Sequence, residues 1–430
     1  MVGDSSARAV ALELLDAVLR GRRALDDALV DHAGLAALER RDRAFARLLV
    51  ATVLRRLGQL DDLIGRCLER PLSRRAARTR DLLRLGVAQL LFIETPAHAA
   101  VDTAVALADG PHKKLVNAVL RRLARDGASW RDGQDAARLN TPDWLWDSWV
   151  AAHGESATRA IAAAHLREPP LDITAKGDGG DLAKILDAEI LPTGSLRRAG
   201  VGVVTELPGF ADGQWWVQDA AAALPARLLG DVKGRAVIEL CAAPGGKTAQ
   251  LAAGGARVIA LDRSKARLAR LRENLHRLNL DARVIAADAC VWRPDTPADF
   301  VLLDAPCGAT GTIRRHPDVA RLKTPNDVAR LAVLQDRLLD AALDMLAPGG
   351  VLVYAACSLQ PEEGSERIAA LLARRGDIHR VPILASELGG AGELISADGD
   401  LRALPCHWAD RGGMDGFFAA RLKLNPLTAT

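Results

Sequence analysis

What most constrains this chain is a change in the period of its apolar residues. Beyond residue 230 short apolar runs recur at Ala236 to Cys241, Arg257 to Asp262, Arg283 to Asp288, Phe300 to Asp304 and Val351 to Cys357. Helical patterns such as Leu268 to Leu278 and Val328 to Leu346 lie between them. Strand alternating with helix predicts a doubly wound, Rossmann-like α/β sheet. After a Gly-rich bend the tail, Asp400 to Leu404 and Gly416 to Leu424, reads as a hairpin. From Ala7 to about Arg125 the spacing is helical instead, as in Ala9, Leu12, Leu15, Val18 and Leu19. Pro71, Pro96 and Pro111 fall between periodic segments, so this part reads as an all-α domain of several short helices, its end marked by Gly127 and Gly133. The stretch between starts helically around Trp144, Trp146 and Trp149 and turns to Gly- and Pro-rich short strands such as Gly202 to Glu206, a small α+β connector. The expectation is a multidomain chain divided as 1–132, 133–229 and 230–430.

A chain of 430 residues with 49% hydrophobic and 26% charged residues can bury several cores and is too apolar to be disordered. No apolar run approaches the roughly 18 residues of a membrane span. Six cysteines without a cleavable apolar leader argue for reduced thiols in a cytoplasm rather than for a disulfide framework. The net charge is only +3, yet residues 1–131 hold 23 Lys/Arg against 16 Asp/Glu, so the basic end is the N-terminal one. Such a domain suits a polyanion; solvated helix faces are the alternative.

The first strand of the α/β region runs into Cys241, Ala242, Ala243, Pro244, Gly245, Gly246 and Lys247, and then a helix. Small residues there let a ligand approach the backbone. A Walker loop would need Gly where Cys241 stands, and the dinucleotide pattern G-x-G-x-x-G is missing, which leaves S-adenosylmethionine. Asp262, ending the second strand, suits a ribose diol, and Asp288, ending the third, the adenine end. Either could instead serve as a helix N-cap, and Lys247 as a solvated first-turn lysine. No spacing of ligands suggests a metal.

The fourth strand leads into Asp304-Ala-Pro-Cys307 and the fifth into Cys357-Ser358. Neighbouring strand ends open onto one crevice in a doubly wound sheet, so two thiols and a carboxylate are expected to face one substrate. Carbon 5 of a pyrimidine is a poor nucleophile until a thiolate adds to carbon 6 and makes the ring an enamine able to attack a methyl sulfonium. A second acid/base group would aid the later elimination, and Asp304 is placed to hydrogen-bond the pyrimidine edge.

The runs ELCAAPGGKT from Glu239 to Thr248, DAPC from Asp304 to Cys307 with RRHPD from Arg314 to Asp318, and CSLQPEE from Cys357 to Glu363 together resemble the RNA cytosine-5 methyltransferases. VQD from Val217 to Asp219 and DGFFAAR from Asp415 to Arg421 extend the likeness. The resemblance implies that Cys357 is the nucleophile, that Cys307 assists product release, and that Asp262, Asp288 and Asp304 contact cofactor or base. KLVNAVLRR from Lys114 to Arg122 resembles the NusB-type helical domain. The pairing of the two implies 16S ribosomal RNA of the small subunit as substrate, with no obligatory protein partner evident. The chain departs from the family pattern at Gly308-Ala309, where Ser-Gly is common, at Ala356, where Thr is common, and at Gly364-Ser365, where Asn-Glu is common.

Arg314, Arg315 and His316 after the Cys307 loop, and Lys113, Lys114, Arg121 and Arg122 in the helical domain, are candidates for RNA phosphates. Trp215 and Trp216 are expected to pack in the connector rather than to stack a base. Two other functions fit the same pattern: the same chemistry on transfer RNA or another nucleic acid, and a non-catalytic RNA-binding or antitermination module.

Overall fold

The computed structural model describes residues 6–200 and 202–426, which form two compact units. One comprises the chain up to Arg167 together with Ile313–Lys323; the other holds Glu168–Thr312 and Thr324 onward.

The first unit is helical, as the apolar period predicts. Its main helices are α1 (Ala7–Leu19), α2 (Arg40–Arg55), α3 (Ala77–Leu91), α4 (Lys113–Asp132) and α5 (Asp143–His165), the last broken by a kink at Gly154, whose φ is 79°. Pro96 precedes the helix starting at Ala97, and Pro111 lies in the turn before α4, where a missing N–H costs nothing. The stripes of α1 to α4 meet in a core of Val10, Leu14, Leu49, Val53, Leu83, Val87, Leu120 and Leu123. Gly86 lets α3 and α4 close up, because a Cβ there would lie 2.6 Å from Leu120 Cδ1. Gly127 does not end the domain: it sits inside α4, against Leu91, and the helical unit continues through α5. A division at 132 and 229 is thus a proposal about folding units rather than a description of these two bodies.

The second unit begins with a four-stranded antiparallel sheet, β1 (Leu171–Ala175), β2 (Glu189–Ile190), β3 (Leu196–Arg198) and β4 (Trp215–Val217), in the order β2-β3-β1-β4. Gly202 to Glu206 is not a strand; Val204–Glu206 forms one 3-10 turn. Trp215 and Trp216 are both buried, but only Trp215 packs in the connector core, against Leu171, Ile173 and Leu196; Trp216 packs instead on Ala249 and Leu278 of the α/β region, its indole donating to Gln218 Oε1 at 2.8 Å. Inside this sheet Arg197 grips Asp172 with two hydrogen bonds of 2.7 Å.

The main sheet holds β5 (Ala236–Leu240), β6 (Arg257–Asp262), β7 (Arg283–Ala286), β8 (Ala298–Asp304), β9 (Leu346–Ala356), β10 (Ile378–Arg380), β11 (Leu401–Ala403) and β12 (Phe417–Leu424). Its order is β10-β12-β9-β8-β5-β6-β7, with β11 paired to β12. Strands β5 to β9 pair in parallel, while β12 runs antiparallel to β9. The tail hairpin is present, and its longer strand also extends the sheet. From β5 the chain winds outward to β7 and then returns to place β8 on the other side. The strand order reverses between β5 and β8, and the crevice at such a switch point is where this architecture binds ligands. Helices α6 (Gly246–Ala253), α7 (Lys265–Leu278) and α8 (Pro325–Leu343) flank it.

Candidate active site

Register decides what the crevice contains. Leu240 pairs with Leu261 and with Leu303, and Asp304 pairs with Ala355, so the segments after β5, β6, β8 and β9 emerge at one edge. After β5 the backbone turns sharply: Cys241 has φ 61° and Gly245 φ 101°. At Gly245 only glycine fits, because a Cβ would lie 2.7 Å from Leu271 Cγ on α7.

Asp262 is buried at the end of β6. Its Oδ2 accepts from Ala243 N at 3.2 Å and its Oδ1 from Ser264 N at 2.8 Å, while Ser264 itself caps α7. The carboxylate therefore braces the small-residue loop and is not the N-cap. A cleft open to solvent lies beside it, lined by Cys241, Asp262, Arg267, Ala287, Asp288 and Pro306 among others. Asp288 is exposed and accepts from Cys290 N at 2.9 Å. Two acids at the far side of a small-residue turn fit a ligand with a ribose diol and an amino-bearing base. Burial pushes the Cys241 thiol up to about 12, so Cys241 lines the cleft as an inert wall.

Lys247 is not a solvated lysine. It is buried in the first turn of α6, its Nζ donates to Asp304 Oδ2 at 2.7 Å, and it lies 5.0 Å from the centroid of the Phe417 ring. Burial alone would lower its pKa, but Asp304, with Glu239 and Cys357 behind it, outweighs that and holds it above the usual lysine value. Beneath the pair Glu239 is buried and accepts from Thr248 Oγ1 at 2.6 Å; burial pushes its carboxyl up to about 8, against the pull of Thr248 and Lys247.

The two thiols meet. Cys307 Sγ and Cys357 Sγ are 3.4 Å apart, and Gly311 N donates to Cys357 O at 3.0 Å between their loops. The contact with Cys357, then burial, then the negative surroundings that include Glu363 raise the Cys307 pKa well above that of a free thiol. Cys307 is thus held as a proton-carrying thiol.

Of the RNA candidates, Lys113, Lys114, Arg121 and Arg122 are exposed on α4. Arg121 donates to Asn117 Oδ1 at 2.9 Å, and Arg122 lies 5.2 Å from the Trp130 ring centroid. Arg314 does not suit a phosphate: it is 1% exposed, and its backbone carbonyl accepts from Arg55 Nη2 within the helical unit. Arg315 is half-buried, and His316 Nδ1 lies 3.4 Å from Asp26. Burial of the RRHPD run could not be read from its charge. Sequence reasoning also passed over Glu363 and Ser358 as single residues, although both lie in a recognised run. Among the described residues no group of three His, Cys, Asp or Glu side chains is placed to hold a metal, and no helix is long and apolar enough to cross a membrane.

The reversed sheet and its acid-lined cleft are a frame that can hold a nucleoside cofactor, and the family match makes the chain one of the S-adenosylmethionine-dependent methyltransferases that act on RNA. Residues 226–423 match the family described as 16S rRNA methyltransferase RsmB/F, and residues 5–125 match the NusB family. A relative from Pseudomonas putida, ribosomal RNA small subunit methyltransferase B, is 39% identical over 96% of this chain and 98% of its own. Its counterpart of the same name in Pseudomonas syringae pv. tomato is 38% identical over 96% of each. A crystal structure of a methyltransferase homolog protein from Pyrococcus horikoshii is 28% identical with a TM-score of 0.55, covering 67% of this chain and 97% of that one. The chain belongs to the ribosomal RNA small subunit methyltransferase B family.

Proposed function

We propose that this enzyme methylates carbon 5 of a cytidine in small-subunit ribosomal RNA through a covalent bond between Cys357 and carbon 6. The observation that carries this reading is the pair of thiols 3.4 Å apart beside the Lys247–Asp304 pair. S-adenosylmethionine, when bound against Asp262 and Asp288 in the cleft beyond Gly245, supplies an electrophilic methyl group that carbon 5 takes. The residues of the chain do the rest. The Cys357 thiol gives up its proton to solvent, the thiolate sulfur adds to carbon 6, and the carbon 5–carbon 6 π pair moves to carbon 5. Asp304 holds the pyrimidine edge, with its own charge held in place by Lys247. In the elimination the carbon 5 proton leaves to water, the electron pair re-forms the double bond, and the Cys357 sulfur departs as a thiolate. Cys307 is the group placed to hand that sulfur a proton. The six free cysteines fit a reducing cytoplasm, and the exposed cations of α4 fit ribosomal RNA as the partner that the helical unit holds.

The two thiols give the test. Cys357→Ala removes adduct formation and turnover together. Cys307→Ala still permits attack and methylation, so a protein–RNA complex accumulates and survives denaturing electrophoresis. An adduct in Cys357→Ala with none in Cys307→Ala would exchange the roles. Mapping modified cytidines in a deletion strain separates ribosomal from transfer RNA.

A further inference from the structure

Glu363 lies at the base of the thiol pair with no exposed surface. Its Oε1 and Oε2 both accept from Gly308 N, at 2.8 and 3.0 Å; Oε2 accepts from Ser358 Oγ at 2.6 Å, and Oε1 from Gln335 Nε2 at 3.3 Å. Gly308 is the residue after Cys307, and Ser358 is the residue after Cys357. One carboxylate thus grips the immediate neighbour of each thiol. Gln335 adds a strut from α8, donating also to Pro306 O at 2.9 Å on the Cys307 side. We propose that Glu363 is a positioning residue whose carboxylate sets the separation of Cys307 and Cys357.

Chemistry explains the residue type. A carboxylate offers about four acceptor sites and no donor, whereas an amide would turn its own N–H groups toward at least one of these donors. Glycine at 308 also lets the carboxylate come close, since a Cβ there would lie 2.9 Å from Oε2. Nearby bonds fix the loops but do not substitute for the clamp: Thr310 Oγ1 accepts from Leu359 N at 2.9 Å, and Arg402 donates to the Ser358 and Leu359 carbonyls at 2.7 and 2.6 Å. None of these reaches the residue next to Cys307.

The proposal rests on the reading that both thiols act on the base, and two readouts keep them apart. The first is trapping of RNA by Glu363→Gln in the full-length protein, beside Cys307→Ala. If Cys307 is displaced from the departing sulfur, Glu363→Gln accumulates the covalent complex as Cys307→Ala does, with kcat lowered about tenfold or more and KM little changed. That is the scale for losing a hydrogen bond to a charged group. The second needs no RNA: diamide, a two-electron oxidant, takes one hydrogen from each thiol and closes a Cys307–Cys357 disulfide. Sulfurs at 3.4 Å need little movement to reach the bond length of about 2.05 Å, and in Glu363→Gln closure should slow about tenfold, the same cost in positioning. Ser358→Ala is the milder variant should Glu363→Gln fail to fold, and it should shift both readouts the same way. Wild-type closure and no trapping, with or without a lower Tm, would overturn the proposal. Failure of Cys307→Ala to trap RNA would overturn the reaction reading, and the diamide rate would then decide the positioning role alone.

Discussion

Ala309 has φ 56°, in the left-handed region where a Cβ costs roughly 1–2 kcal/mol. Its family resemblance places glycine at this position. Ala309→Gly relieves that strain but frees the unfolded chain, so a net gain of about 0.5–1 kcal/mol is expected, read as a higher Tm with unchanged cofactor affinity. A lower Tm would mean that the Ala309 methyl is needed for packing. Asp262 answers to a different measurement. Losing a charge-assisted pair to a ribose costs roughly 1.5–3 kcal/mol, so calorimetry on Asp262→Ala should show S-adenosylmethionine bound about tenfold or more weakly. Unchanged affinity in a folded variant would leave Asp262 only as a brace for Ala243 and Ser264. Single residues were legible where their chemistry is rare. Two cysteines and an aspartate at strand ends have few reasons to be there, whereas for Lys247 and Arg314, candidates for cofactor and for RNA phosphate, nothing in the charge itself distinguished a solvated cation from the buried ones that packing makes them.

Among the elements, the inner parallel strands β5, β6, β8 and β9 could be read from the sequence because a strand covered on both faces is a continuous apolar run, and the edge strand β7 from the short apolar run that continues the alternation with helices. Strands β1 to β4 and β10 could not, since each is two to five residues long and gains its identity from a partner distant in sequence. The Glu363 clamp is hidden for the same reason. It exists only because Asp304 pairs with Ala355, bringing two loops fifty residues apart side by side. Helix α5 supplies a pH prediction of its own. Its last residue, His165, is buried edge-on to Trp149 with centroids 5.4 Å apart, and burial, then the charges of Arg314 and Arg55, lower its pKa to about 3. The unfolded chain binds a proton near pH 6.5 and the folded one only near 3. Stability should therefore fall as pH drops from about 6.5 toward 3, with a slope of up to roughly 1.4 kcal/mol per unit from this group. His165→Phe keeps the ring contact and should flatten that part of the curve in urea titrations. An equally steep acid limb in the variant would assign it to other groups.

At the scale of the whole molecule the helical unit is not a simple N-terminal block. It includes Ile313–Lys323, whose Asp318 Oδ2 accepts from Leu25 N at 3.0 Å and whose Arg321 donates to Asn140 O at 2.8 Å. Cutting the chain near Gly133 or Arg167 would strip that segment of its partners, so a truncated fragment is a poor test of what the basic end does. Charge removal in the full chain avoids the problem. Lys113, Lys114, Arg121 and Arg122 are exposed on α4, and replacing all four with alanine leaves its buried face of Val116, Val119, Leu120 and Leu123 intact. Each phosphate contact contributes about 0.7–0.9 to the slope of log K against log salt. If the four cations hold RNA, the variant should bind ribosomal RNA more weakly at low salt with a slope shallower by about 3. Its affinity for S-adenosylmethionine should not change, because none of the four lines the cleft. An unaltered salt slope would mean that the basic charge of this end serves only to solvate a helix face, and that the RNA is held elsewhere.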